Sequence, residues 1–240
     1  MADTAAPGRT RSRPRLLALY RTTVGKKQAM ALSGIVLMAY VLVHMIGNLK
    51  LYQGAEEMDA YAAWLREIAY PAMPEESVLW IMRVVLLAAV VIHIHAAASL
   101  TLANRRARPE RYRSRRDYVA ADFAGRTMRW TGIIVLLFIA FHVADLTLGT
   151  ANPDFTYGEV HANVVASFER APVAAFYVLA NLALGLHLYH GGWSLFQSMG
   201  WTPAVRRGLD PRRAFAVAFA VVVVAGNVSF PVAVQLGVVG

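Results

Sequence analysis

Five stretches of this chain are apolar for about twenty residues or more, the length an α-helix needs to cross the hydrocarbon of a bilayer. They run roughly from Ala29 to Leu51, Ser77 to Ala103, Trp130 to Leu148, Pro172 to Met199 and Ala214 to Val239. With 57% of its 240 residues hydrophobic and 16% charged, the chain reads as a five-helix membrane bundle rather than as one or two soluble domains. No alternating pattern punctuated by turn residues supports a barrel, and lipid leaves unpaired strand backbone uncompensated. The first run is too long for the core of a cleaved signal and follows a long polar, basic segment, so it reads as a true span. The expected fold is all-α, an integral membrane bundle of five transmembrane helices.

The net charge of +9 does not point to nucleic acid, because the basic residues alternate with topology. Arg9 to Lys27 precede the first span, Arg105 to Arg129 fill the second connection, and Arg206, Arg207, Arg212 and Arg213 fill the fourth. The other two connections are acidic, with Glu56, Glu57, Asp59, Glu67, Glu75 and Glu76 in one and Asp154, Glu159 and Glu169 in the other. The positive-inside rule therefore places the N-terminus in the cytoplasm and the C-terminus outside. The arginine loops read as topology markers and lipid-headgroup contacts, and are compatible with docking a cytoplasmic partner.

Residues 1–20 read as a mobile cytoplasmic arm and residues 21–240 as a single domain. Between spans one and two, Met58, Tyr61, Trp64, Leu65 and Ile68 recur at helical spacing, and Pro71 follows. This predicts a short helix at the outer interface over Glu56 to Tyr70. No fixed-period repeat is read from the sequence. The absence of cysteine excludes disulfides, thiolate-held iron–sulfur clusters and covalent haem attachment in this chain.

The chemistry lies in seven histidines. His44, His93, His95, His142, His187 and His190 fall inside spans, where an ionisable side chain is costly and points to function; His161 is expected in a loop. His44 stands 6 residues before Lys50 and His142 stands 7 before Gly149, so both lie about 10 Å below the outer end. His93 is 15 residues after Val78 and His187 is 15 after Pro172, which puts both about 22 Å down. Two pairs at two depths fit two haems b, each held by an imidazole on either face from two different helices. Neutral imidazole binds iron without adding a charge in lipid. His93 and His95 point to nearly opposite sides of one helix, and depth alone does not choose between them; His187 and His190 share a face, and either is able to ligate. Gly47, Ala96, Ala97 and Gly191 leave room for a macrocycle or for close helix packing.

At these residues the chain resembles the succinate dehydrogenase cytochrome b558 family of menaquinone-using bacteria, especially its actinobacterial members. The resemblance is carried by Gly25-Lys26-Lys27, Ser33-Gly34, His44-Met45-Ile46-Gly47-Asn48-Leu49-Lys50 and Gly54-Ala55-Glu56-Glu57. It continues through His93, Ala107-Arg108-Pro109, Tyr112, Arg126-Thr127-Met128-Arg129-Trp130 and His142 with Asp145-Leu146-Thr147. His187-Leu188-Tyr189-His190-Gly191, Trp193-Ser194, Phe196-Gln197 and Pro231-Val232-Ala233-Val234 complete it. It implies a di-haem anchor in the bacterial cell membrane, with axial ligands His44 and His142 for the outer haem and His93 and His187 for the inner one. It also implies menaquinone as electron acceptor, and partner subunits on the cytoplasmic side: a flavoprotein with covalent FAD and a protein with three iron–sulfur clusters. A higher oligomer of the complex is compatible with it. His95 and His190 are left as non-ligands, with His190 a candidate propionate contact.

Four further groups follow from spacing. Ser33 lies on the face of His44 about 16 Å deeper, at the level expected for inner-haem propionates, and Ser194 lies two turns below His187. Lys50 is a candidate for an outer propionate or for anchoring the helix end. Asp145, one turn beyond His142, is a candidate for proton exchange at a quinone site, with Glu67 and Trp64 as weaker candidates. One position departs from related fumarate reductases: where those pairing electron flow with a proton path carry Glu two residues before the fourth ligand, this chain has Gly185. That favours succinate oxidation. A second reading is the cytochrome b subunit of another respiratory dehydrogenase (fumarate reductase, hydrogenase or formate dehydrogenase type), discriminated by the copurifying cytoplasmic partner. A transporter relaying protons through histidines would show no Soret band, and its usual broken helices are not evident.

Overall fold

The computed structural model describes residues 15–107, 123–201 and 210–240. Helix α1 (Arg15–Arg21) leads into α2 (Thr23–Asn48), extended by a 3₁₀ turn over Leu49–Gln53; α3 (Ala55–Glu67) and α4 (Ser77–Arg106) follow. The second half holds α5 (Phe123–Leu146), α6 (Val160–Glu169), α7 (Ala171–Ser198) and α8 (Pro211–Gln235). There is no strand among the described residues, and five helices are long and apolar enough to cross a membrane. The chain is thus a multi-pass membrane protein, its spans within a few residues of those read from hydropathy except that α2 starts six residues before Ala29 and α5 seven before Trp130.

Local chemistry sets the helix starts. Thr22 caps α2 by accepting from the Gly25 amide at 2.9 Å, and Asp210 caps α8 by accepting from the Arg212 amide at 3.0 Å. Pro172 and Pro211 occupy first-turn positions, where no amide hydrogen is needed. The Arg212 guanidinium beside Asp210 also holds that carboxyl below the usual range.

Residues 15–20, read above as the end of a mobile arm, lie in helix α1. One expectation is corrected: His161 is not in a loop but in the first turn of α6, where it is buried. Its amide donates to Asp59 Oδ1 at 3.0 Å, joining α6 to α3 at one end of the bundle. Residues 1–14, Arg108 to Arg116 with Pro109 and Tyr112, and Arg206 and Arg207 lie outside the described residues.

Packing runs chiefly along α2 with α4, α5 with α7, and α7 with α8, while α2 also touches α7 and α8. Small residues allow the last contact: a Cβ on Gly185 would stand 2.5 Å from Val224 Cγ2, one on Gly192 would stand 3.4 Å from Ala216 Cβ, and Gly226 accepts the side chain of Met45. The main apolar core gathers Met45, Leu51, Met58, Phe168, Tyr177, Phe230 and Val234 at the α3/α6 end. Elsewhere large apolar side chains such as Leu87, Leu137 and Leu179 are over 60% exposed, as suits surfaces facing lipid.

This packing gives a first prediction. Gly185→Ala, which pushes a methyl into Val224, is expected to destabilise the detergent-solubilised protein by about 1–3 kcal/mol. Gly191→Ala, whose new methyl meets Met128 Cε at an unstrained 3.7 Å, should change little. Thermal melting followed by size-exclusion chromatography distinguishes the two.

Candidate functional site

The histidine rings meet in two pairs. His44 of α2 and His142 of α5 have ring centroids 5.8 Å apart with planes at 83°. His93 of α4 and His187 of α7 stand 6.3 Å apart at 60°. These are the pairings that depth gave. The structure also separates the near neighbours that spacing left open. His95 turns away from the pair, its Nδ1 2.6 Å from the Tyr20 hydroxyl and its ring stacked on that phenol at 5.7 Å. His190 presents its ring edge to Trp193 at 6.3 Å.

Hydrogen bonds at Nδ1 fix the orientation of the inner pair. His93 Nδ1 lies 3.1 Å from the Met30 carbonyl oxygen, which only accepts, so the ring proton is on Nδ1 and Nε2 keeps its lone pair. Ser33, buried on α2, donates to Ala29 and Met30 carbonyls at 2.7 and 3.1 Å, with its oxygen 3.3 Å from the same Nδ1. Across the bundle Thr131 donates to the Thr127 and Met128 carbonyls at 3.3 and 3.0 Å, and its oxygen is 3.3 Å from His187 Nδ1. The Met128 backbone also bonds His187. Glycine follows in each case: a Cβ on Gly34 would touch His93 Cε1 at 3.5 Å, and one on Gly132 would touch His187 Cε1 at 3.4 Å.

A short motif underlies these matched environments. Met30-x-x-Ser33-Gly34 with His44 ten residues after the glycine recurs as Met128-x-x-Thr131-Gly132 with His142 ten residues after. Tyr40 stacks on His44 at 5.3 Å and Phe138, at the equivalent place, lies 5.7 Å from His142. In each half two long helices flank a short one, α2–α3–α4 and α5–α6–α7, and each histidine pair joins equivalent helices of the halves.

The donor set suits haem. An iron bound by an imidazole nitrogen on each face at about 2 Å sets the two ring centroids about 6 Å apart, and both pairs have that spacing. Among the described residues no three His, Cys, Asp or Glu side chains group so as to hold a bare ion. Close backbone packing lies within α2/α4 and α5/α7 and is not extensive between α2 and α5 or between α4 and α7, the helices whose histidines pair.

The remaining candidates are dispersed. Lys50 pairs with Glu57 at 2.9 Å at the exposed end of the 3₁₀ turn, and that ammonium holds the Glu57 carboxyl below its usual range. Ser33 is engaged at the His93 ring rather than facing open space, and Ser194 is half-buried further along α7. Trp64 is exposed and stacks on Tyr61 at 5.8 Å; Glu67 is exposed at the end of α3. Tyr61 itself lies against Gly47, one turn past His44. Asp145, expected as a proton-exchanging group, is fully buried and accepts from Ser167, from Arg170 Nη2 at 2.6 Å and from Tyr177 at 2.9 Å. Asp145 is thus enclosed by three neighbours instead of standing open at the helix end. Gly185 lies in the α7–α8 contact, where a longer side chain would displace α8.

Sequence reasoning passed over Tyr177, Arg170, Ser167, Thr131 and Arg83. A buried tyrosine and serine carry no signal in an apolar run, whereas the pairing of Met128-x-x-Thr131 with Met30-x-x-Ser33 was legible. Arg83 is the clearest omission: a guanidinium six residues inside α4, 4.7 Å over the Trp80 ring. Comparison with family models, with curated proteins and with solved structures found no match to this chain.

Proposed function

We propose that this chain is the di-haem cytochrome b anchor of a succinate:menaquinone oxidoreductase in a bacterial cell membrane. The observation that carries the reading is the meeting of four intramembrane histidines in two pairs at haem-ligating separation. When bound, two haems b would supply one-electron carriers at two depths. His44 and His142 hold the one at the α3/α6 end, and His93 and His187 hold the other. Met30, Ser33, Met128 and Thr131 lock the inner rings in the tautomer that presents Nε2 to a metal.

The family resemblance and the charge asymmetry of the loops support the rest. The α3/α6 end faces outside, and the arginine-bearing connections face the cytoplasm, where a flavoprotein with covalent FAD and a protein with three iron–sulfur clusters dock. Succinate is oxidised on the flavoprotein, and menaquinone is reduced near the outer face, with Trp64 and Glu67 on α3 as the exposed candidates for its site. Gly185 in the α7–α8 contact supports the absence of the glutamate-borne proton path.

The test is a reduced-minus-oxidised spectrum of the purified protein with a haem-to-protein ratio. Two b-type haems per chain are the expected result; none would end the reading. A copurifying hydrogenase or formate dehydrogenase subunit in place of the flavoprotein would transfer the anchor to another respiratory enzyme.

A further inference from the structure

Beside the outer histidine pair the structure buries a charge network that ligation alone does not require. Asp145 is 0% exposed, and so is Ser167, both close to the end of a lipid-facing bundle. Ser167 of α6 and Arg170, between α6 and α7, donate to the carboxylate, and the Tyr177 hydroxyl donates to it from α7 at 2.9 Å. The oxygen of that hydroxyl is 3.4 Å from His142 Nδ1. A phenol has one proton, and a carboxylate only accepts, so the phenol proton goes to Asp145 and the bond to His142 is made by the imidazole N–H on Nδ1. His142 is thereby left with its Nε2 lone pair for a metal, and its Nδ1 proton leans on a phenol oxygen whose own proton is given to the Arg170-paired carboxylate. His93 leans instead on the neutral Met30 carbonyl at 3.1 Å.

A hydrogen bond to a carboxylate-backed acceptor makes an imidazole a stronger electron donor, and a stronger donor favours ferric over ferrous iron. We propose that Asp145, acting through Tyr177, is a positioning residue that fixes the His142 ring and lowers the reduction potential of the outer haem. Arg170 keeps the carboxylate in place. This inference rests on the di-haem reading. A purely structural role, tying α5 to α6 and α7, needs the Asp145–Arg170–Ser167 contacts but not a phenol oxygen at His142.

Tyr177→Phe separates the two roles, because the ring stays packed against Phe138, Phe141 and Phe168 at 5.1, 6.1 and 4.8 Å while only the hydroxyl is lost. Haem content is measured first in the parent complex; a parent without haem overturns the di-haem reading and this inference together. With two haems present, a potentiometric titration of Tyr177→Phe is expected to raise the reduced-to-oxidised ratio of one haem about tenfold at fixed potential, a shift of about 59 mV for one electron. The responding haem should be the one that persists in His93→Ala, and its low-spin ferric resonance should move while the other's stays in place. The double variant Asp145→Asn/Arg170→Gln, which leaves no lone buried charge, should shift the same haem in the same direction. Two haems with unchanged ratios, a downward shift, or a response from the haem that His93→Ala removes would overturn the inference and leave the di-haem reading standing.

Discussion

Replacing His93 or His187 by alanine is expected to remove one of two haems and to abolish quinone-linked succinate oxidation, while the other haem persists. The two rings stand 6.3 Å apart from different helices, His93 held at Nδ1 by the Met30 carbonyl and His187 with its Nδ1 3.3 Å from the Thr131 hydroxyl, so neither has a substitute ligand within the pair. His95 is the nearest other imidazole on α4, and it is turned to Tyr20 at 2.6 Å. His95→Ala should therefore keep both haems and most of the activity. His44 and His142 meet at 5.8 Å and do not depend on the deeper pair, so the spectrum of the outer haem should survive with little change. The measurement is haem content with succinate-to-quinone rate, against succinate oxidation by an artificial acceptor at the cytoplasmic subunits, which should be retained. Loss of a haem in His95→Ala with both kept in His93→Ala would reverse the assignment on α4.

Much of this architecture was legible in the chain because lipid imposes simple rules. Twenty apolar residues make a span, and a histidine within one has a depth that counting from the helix end provides. Depth paired His44 with His142 and His93 with His187, but it says nothing of which way a ring points. Spacing did not choose between His93 and His95; the resemblance implied His93, and the Tyr20 contact, which crosses from α1 to α4, turns His95 away from the pair. The short α6 was missed although Val160, Val164, Val165 and Phe168 carry a helical period, because ten residues between two spans read first as a connection. Asp145 shows the deeper difficulty. On a helix end it looks like a solvated carboxylate, and only the fold brings Ser167, Arg170 and Tyr177 around it from two other helices.

Collapse of the membrane potential is expected to slow succinate-to-menaquinone electron transfer in intact cells or sealed vesicles, while leaving succinate oxidation by a cytoplasmic-side artificial acceptor unchanged. The expectation follows from the proposed orientation, with acidic connections and the α3/α6 end outside and the arginine connections inside. An electron that leaves succinate on the cytoplasmic side and reaches quinone near the outer face moves toward the positive side of the membrane, which is downhill for a negative charge. Each full charge crossing contributes roughly 2.3 kcal/mol per 100 mV. Protons taken up from outside by the reduced quinone leave the positive side, so the overall reaction consumes the gradient. This contribution matters because menaquinone is a weaker oxidant than ubiquinone and accepts electrons from succinate with little driving force of its own. An inward proton path that cancelled the charge movement would need a proton-carrying group along the bundle, and on α7 Gly185 is closed by Val224 of α8. An uncoupler should therefore lower the quinone-linked rate. A rate that stays constant or rises on uncoupling would place quinone reduction at the cytoplasmic face, near the His93–His187 pair rather than the His44–His142 pair.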